Sequence, residues 1–123
     1  MKSLKFVFDC LEGKYEFNAQ GDDNLVFSID STIETLESFE GELDVNNTKL
    51  FFDEIDLANI KKWQRRYDSN LTPIEDAVKW YVKYIEDDKE YVSEGEESYE
   101  PYEYNHLIEA IKLCDDKADY FMI

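Results

Sequence analysis

The chain has 123 residues, 43% hydrophobic, 15% aromatic and 35% charged, which suits a single folded domain and excludes a disordered polyelectrolyte. Thirteen Lys and Arg stand against thirty Asp and Glu, and the resulting net charge of −17 repels nucleic acid and anionic lipid and argues against binding either directly. No apolar run approaches the roughly 18 residues of a membrane helix, and Met1-Lys2-Ser3-Leu4-Lys5 leads into alternating residues and not a signal-type apolar core, which predicts a cytoplasmic protein.

Leu4, Phe6, Phe8 and Cys10 fall on alternate positions, the period of a strand with one buried face. Leu11-Glu12-Gly13-Lys14 supplies a turn, and Tyr15, Phe17 and Ala19 continue the alternation. A second turn at Gly21-Asp22-Asp23-Asn24 leads into a third strand carrying Leu25, Phe27 and Ile29, so the first quarter reads as an antiparallel meander. Ser31 and Glu34 fit a capping box, predicting a short helix with Ile33, Leu36 and Phe39 that ends at Gly41. Leu43 and Val45 before Asn46-Asn47, with Leu50 to Phe52 after it, predict another hairpin.

Asp56 can cap a helix bearing Leu57, Ile60, Trp63 and Tyr67 on one face and Lys61, Lys62, Arg65 and Arg66 on the other. That basic face suits pairing with neighbouring acids, which relieves self-repulsion, better than contact with nucleic acid. Residues 68–73 read as a loop. Pro73 also suits a helical start, but the aromatic and β-branched run with Val78, Trp80, Val82 and Tyr84 in step favours a strand. Asp87-Asp88-Lys89 offers a reversal, Glu90 to Ser93 pairs back, and a last helix from about Tyr104 to Lys117 turns Leu107, Ile108, Ile111 and Cys114 inward. The tail from Tyr120 to Ile123 either docks on the core or frays.

These elements predict a single α+β domain over residues 1–123: an antiparallel meander sheet of hairpins with two or three helices packed on one face. Its core would use Phe6, Phe8, Phe17, Phe27, Trp63, Trp80, Ile108 and Ile111.

Few residues point to chemistry. Cys10 and Cys114 match no zinc or redox spacing and are expected as reduced thiols, and the single histidine, His106, is expected at the surface or as a cap. There is no phosphate loop, dinucleotide fingerprint or His-Glu-x-x-His pair, and four glycines leave little for backbone cradling of phosphate. The runs Asp53, Glu54, Asp56 and Glu86, Asp87, Asp88 could ligate a divalent cation, yet they lack EF-hand spacing and suit solvated turns and caps. No catalytic residue, cofactor or metal is expected.

The outstanding feature runs from residue 86 to residue 103, where nine acids face a single base, Lys89, and carry nearly half of the net charge. Tyrosines are interleaved with them. Tyrosine supplies contact area and a polar tip at low entropic cost, and carboxylates steer a basic partner. The candidate partner-binding residues are therefore Glu86, Asp87, Asp88, Tyr91, Glu94, Glu96, Glu97, Tyr99, Glu100, Tyr102 and Glu103. A solvated hairpin whose tyrosines cover a sheet edge has the same composition, and both readings stand at this level.

From Trp63 to Ile111, about two fifths of the chain, the sequence resembles small acidic α+β proteins of bacteria and their phages that include toxin immunity proteins. Trp63-Gln64-Arg65-Arg66-Tyr67, the strand led by Trp80, Gly95, the Tyr99 to Pro101 step and Asn105-His106-Leu107-Ile108 carry the likeness. Gly95-Glu96-Glu97-Ser98-Tyr99-Glu100-Pro101 stands where the pattern has Gly-x-Asn-x-Tyr-Pro. The resemblance implies a fold and transfers no catalytic residues. Together with the charge it leads to an expected non-enzymatic inhibitor, a bacterial immunity protein that neutralises a basic toxin such as a nuclease. The alternatives are a phage anti-defence protein that mimics DNA against a host nuclease, and a small carboxylate- or metal-dependent enzyme.

Overall fold

The computed structural model describes residues 1–67, 78–96 and 99–122; the predicted loop over 68–73, the candidate Glu97 and the final Ile123 lie outside the described residues. Among the described residues seven strands form one sheet: β1 (Ser3–Cys10), β2 (Gly13–Gln20), β3 (Val26–Ser31), β4 (Phe39–Glu42), β5 (Arg66–Tyr67), β6 (Lys79–Glu86) and β7 (Lys89–Glu96). The α-helices are α1 (Val45–Ala58) and α2 (Tyr104–Lys112), with 3-10 segments at Ile60–Lys62 and Asp116–Phe121.

The class is α+β, but the sheet is not a simple meander. Its order is β4-β3-β2-β1-β6-β7-β5, so β1 lies between β2 and the distant β6, and β5 joins the far edge parallel to β7. The other pairings are antiparallel, with Phe6 opposite both Phe17 and Val82. Alternation then places Leu4, Phe6, Phe8, Tyr15, Phe17, Ala19, Phe27, Ile29, Trp80, Val82 and Tyr84 on one buried face. Both helices and the C-terminal segment cover that face: Phe51 of α1 lies 6.3 Å from Phe17, while Tyr104 of α2 and Phe121 lie 6.4 and 5.6 Å from Phe6. Among the described residues no helix lies on the opposite face.

Four predicted elements need correction. Ser31 is the last residue of β3 and caps no helix; its hydroxyl accepts from the Ile33 amide (3.1 Å), and Ser38 accepts from the Ser31 amide (2.8 Å). These side-chain bonds close a loop that still buries Ile33 and Leu36. Gly41, expected to end that helix, is in β4, where an added Cβ would lie 2.7 Å from the Phe27 ring.

The hairpin expected at Asn46-Asn47 is the first turn of α1. Asp44 caps it by accepting from the Asn47 amide (2.7 Å), and Thr48, Phe51, Phe52, Ile55 and Ala58 recur on its buried face. Asp56 therefore sits in the last turn of this helix and does not start another. Asn59, left-handed at φ 57°, stops α1, and the chain runs through the Ile60–Lys62 segment into β5. The expected basic helical face is thereby broken up. Lys61 pairs with Glu86, Arg65 and Arg66 lie 3.6 and 3.4 Å from Glu94, and Lys62 is exposed.

Trp63 is half-buried and not a core residue. Its indole N–H donates to the Ala58 carbonyl (2.6 Å) and its ring meets Trp80 edge-on at 5.9 Å. The last helix stops at Lys112 and not at Lys117, because the Asp115 carboxylate accepts from the Lys117 amide (3.1 Å) and caps a separate 3-10 segment. That segment docks the tail: Phe121 is buried, 4.6 Å from Phe8 and 4.5 Å from Tyr15.

Candidate functional site

The acidic segment is continuous in sequence and divided in space. Its first part forms the tip of the β6–β7 hairpin, β7 carries the chain across the sheet, and its last part leads into α2. Eight residues of strand separate the two ends by about 23 Å.

At the hairpin end, Asp87 and Asp88 occupy a two-residue turn with φ of 52° and 66°, the left-handed geometry that matches strand twist. Both are exposed. Glu86 beside them faces inward, its side chain 16% exposed. It accepts from Lys61 and from the Tyr84 hydroxyl (3.0 Å), with the Lys2 ammonium at 3.7 Å. The Lys61 hydrogen bond, more than any other contact, holds the Glu86 carboxyl below the usual range, and the same bond raises Lys61. Burial first, and then Glu86, push the Tyr84 phenol up. Tyr91 is half-buried, stacked on Tyr84 at 6.4 Å, with the Lys61 ammonium 6.0 Å above its ring.

Along β7, Glu94 is engaged by Arg65 and Arg66. Glu96 stands opposite Lys79, and its Oε2 is buried with no hydrogen-bond partner among the described residues. The far end differs. The Tyr99 amide donates to the Glu96 carbonyl (3.2 Å), and the Tyr104 amide donates to the Pro101 carbonyl (3.1 Å). Pro101 is buried and Tyr104 only 1% exposed, so both corners of this turn are anchored in the core. Between them Tyr102 is 98% exposed; Tyr99 is 44% exposed, and Glu100 and Glu103 are half-exposed. This end keeps aromatic surface and carboxylates together on the outside.

The strand order also gathers acids that the sequence leaves far apart. Ser3 of β1 lies opposite both Gln20 and Ile85, so the Asp22-Asp23 turn and the Asp87-Asp88 turn flank the N-terminus at the same sheet end, about 10 Å apart. The Met1 amino group lies 3.9 Å from Asp22. Only the pairing of β1 with β6 reveals this neighbourhood.

The uncovered sheet face holds a shallow concavity of about 880 Å³ lined by side chains such as Lys5, Asn18, Gln20, Glu40 and Lys83. Its two lysines are cross-strand neighbours, and each leans to an acid, Lys5 to Glu16 (3.6 Å) and Lys83 to Glu90 (3.5 Å).

His106 is half-exposed and joins α2 to α1 through Glu54 at 3.0 Å. Both cysteines are free thiols; burial, with the Asp115 charge second, pushes Cys114 up to about 12. Among the described residues no three His, Cys, Asp or Glu gather into a group that could hold a metal ion, and no helix is long and apolar enough to cross a membrane. In comparisons with known proteins, no family model matches the chain and no curated sequence does.

Proposed function

We propose that the chain is a non-enzymatic inhibitor that binds a basic protein partner, as a bacterial immunity protein neutralises a basic toxin such as a nuclease. The observation that carries this reading is the Tyr102 turn, an aromatic ring 98% exposed between two buried corners and flanked by Glu100 and Glu103. A large aromatic held out on an anchored turn loses little entropy on binding, and residues of this kind dominate interface energetics. The net charge of −17 steers a basic partner toward it and speeds encounter, most strongly at low salt. Glu86 and Glu94 are engaged by the chain's own cations and support the fold under this reading, while the turn offers aromatic contact.

The test is capture from the native source with tagged chain, washed at low salt and at about 150 mM salt, beside the double variant Tyr102→Ala, Glu103→Lys. The expected result is one basic protein, retained stoichiometrically by the unaltered chain and lost with the variant. Retention that is indifferent to the variant, or no protein surviving the higher salt, overturns the reading.

A further inference from the structure

We infer that the Tyr102 turn reads an arginine side chain of the partner, with the guanidinium lying on the Tyr102 ring and pairing with the Glu103 carboxylate. This rests on the basic-partner reading and names the chemistry that the turn accepts.

With 98% of Tyr102 exposed, its ring is open to a ligand. Among the described residues no cation of the chain lies over it, whereas Tyr91 has Lys61 at 6.0 Å and Phe52 has Lys2 at 4.7 Å. The chain thus already uses cation–ring contacts, and in both the cation is a lysine that also pairs with Glu86. Tyr102 differs in that, among the described residues, its ring carries no such cation, while an acid, Glu103, follows it directly in the chain. Glu103 is the next residue, at the N-cap of α2, and its side chain makes no cap bond, so the carboxylate is not used by the helix. A ligand at this turn must present positive charge and a flat surface together. Guanidinium is planar and weakly hydrated, and it stacks on a ring while its edge donates to a carboxylate; an ammonium is a compact, strongly hydrated point charge. The backbone bond from Tyr104 to Pro101 fixes the turn before the ligand arrives.

The experiment titrates the full chain with hexa-arginine and with hexa-lysine at about 150 mM salt, reading affinity by calorimetry and the tyrosine rings by NMR. Hexa-arginine is expected to bind about two- to fivefold more tightly, with the Tyr102 ring resonances shifting. Tyr102→Leu should erase that preference by lowering hexa-arginine affinity more than hexa-lysine affinity, and Tyr102→Phe should retain it. Because the residue is exposed, neither change touches the core. Equal affinity for the two peptides, or a preference that survives Tyr102→Leu, overturns the inference and leaves the basic-partner reading in place. Failure of both peptides to bind even at about 20 mM salt overturns both.

Discussion

The C-terminal segment is tied to the sheet by one buried polar contact, and removing its donor tests how much that tie matters. The Tyr15 hydroxyl donates to Asp115 Oδ2 at 2.9 Å, bridging residues 100 apart in sequence, and Asp115 is only 5% exposed. Its other oxygen accepts from the Lys117 amide, which starts the 3-10 segment that delivers Phe121 to the core. Tyr15→Phe keeps the ring against Phe121 and leaves a buried carboxylate oxygen without its donor. A hydrogen bond to a charged group contributes about 1.5–3 kcal/mol, so a loss of about 2 kcal/mol is expected. A chain of this size unfolds with an entropy of about 0.26 kcal/mol per K, which converts that loss into a drop of about 8 °C in Tm. Urea unfolding followed by circular dichroism measures it, in the native background and again with Asp115→Ala. In the second background Tyr15→Phe should cost less than about 0.5 kcal/mol, because the acceptor is gone. A cost equal in both backgrounds, or below about 0.5 kcal/mol in the first, would refute the coupling. The alkaline limb gives an independent check. Burial raises the Tyr15 phenol, so above pH 10 the unfolded chain releases this proton while the folded chain keeps it. Stability therefore falls as pH rises beyond 10, and Tyr15→Phe should make that limb shallower.

Two further perturbations probe the sheet. Glu86→Gln weakens the contacts with Lys61 and Lys2, and because Lys61 is itself largely solvated the expected loss at pH 7 is about 1 kcal/mol. The Glu86 carboxyl is lowered in the fold, so its contribution is complete above 4.5 and is lost as pH falls through its folded value; Glu86→Gln should flatten the acid limb, and an unchanged acid transition would count against the Lys61 contact. Trp80→Ala, at a site 2% exposed among Trp63, Tyr67 and Tyr104, should cost about 3–5 kcal/mol, and Trp63→Ala only about 1–2 kcal/mol; equal losses in chemical denaturation would contradict the half-buried placement of Trp63.

How much of this fold was legible depends on what each residue run could hide. The strands were readable because one face of the sheet is buried and the other is not, which writes a period of two into Leu4 to Cys10 and Val78 to Tyr84. Helix α1 was concealed by its own exceptions. Leu50 and Leu57 lie on its solvent side, and Thr48, a polar residue, lies on its buried side. Thr48 is satisfied there because its hydroxyl donates to the nearby Leu43 carbonyl (3.3 Å) and accepts from the Leu25 amide (2.9 Å), the second a contact across 23 residues that exists only once the start of β3 is in place. Ile33 and Leu36 misled in the opposite sense. Their spacing of three suits a helix equally well as a loop pinned by two serines.

The acidic segment shows why composition located the candidate surface more broadly than the fold does. A run of acids in sequence becomes one patch only if the chain stays at one place, and an eight-residue strand carries it to the other end of the sheet. What each acid does then follows from its position. Three in the β6–β7 hairpin meet neighbouring cations, Glu94 meeting Arg65 and Arg66, Glu86 meeting Lys61 and Lys2, and Glu90 meeting Lys83, and their charge is spent within the fold. Those at turns project outward, and the crossing of β1 between β2 and β6 brings Asp22-Asp23 to the same end as Asp87-Asp88. At the Tyr102 turn, half-exposed acids coincide with exposed rings, and there charge and aromatic surface stand together after folding.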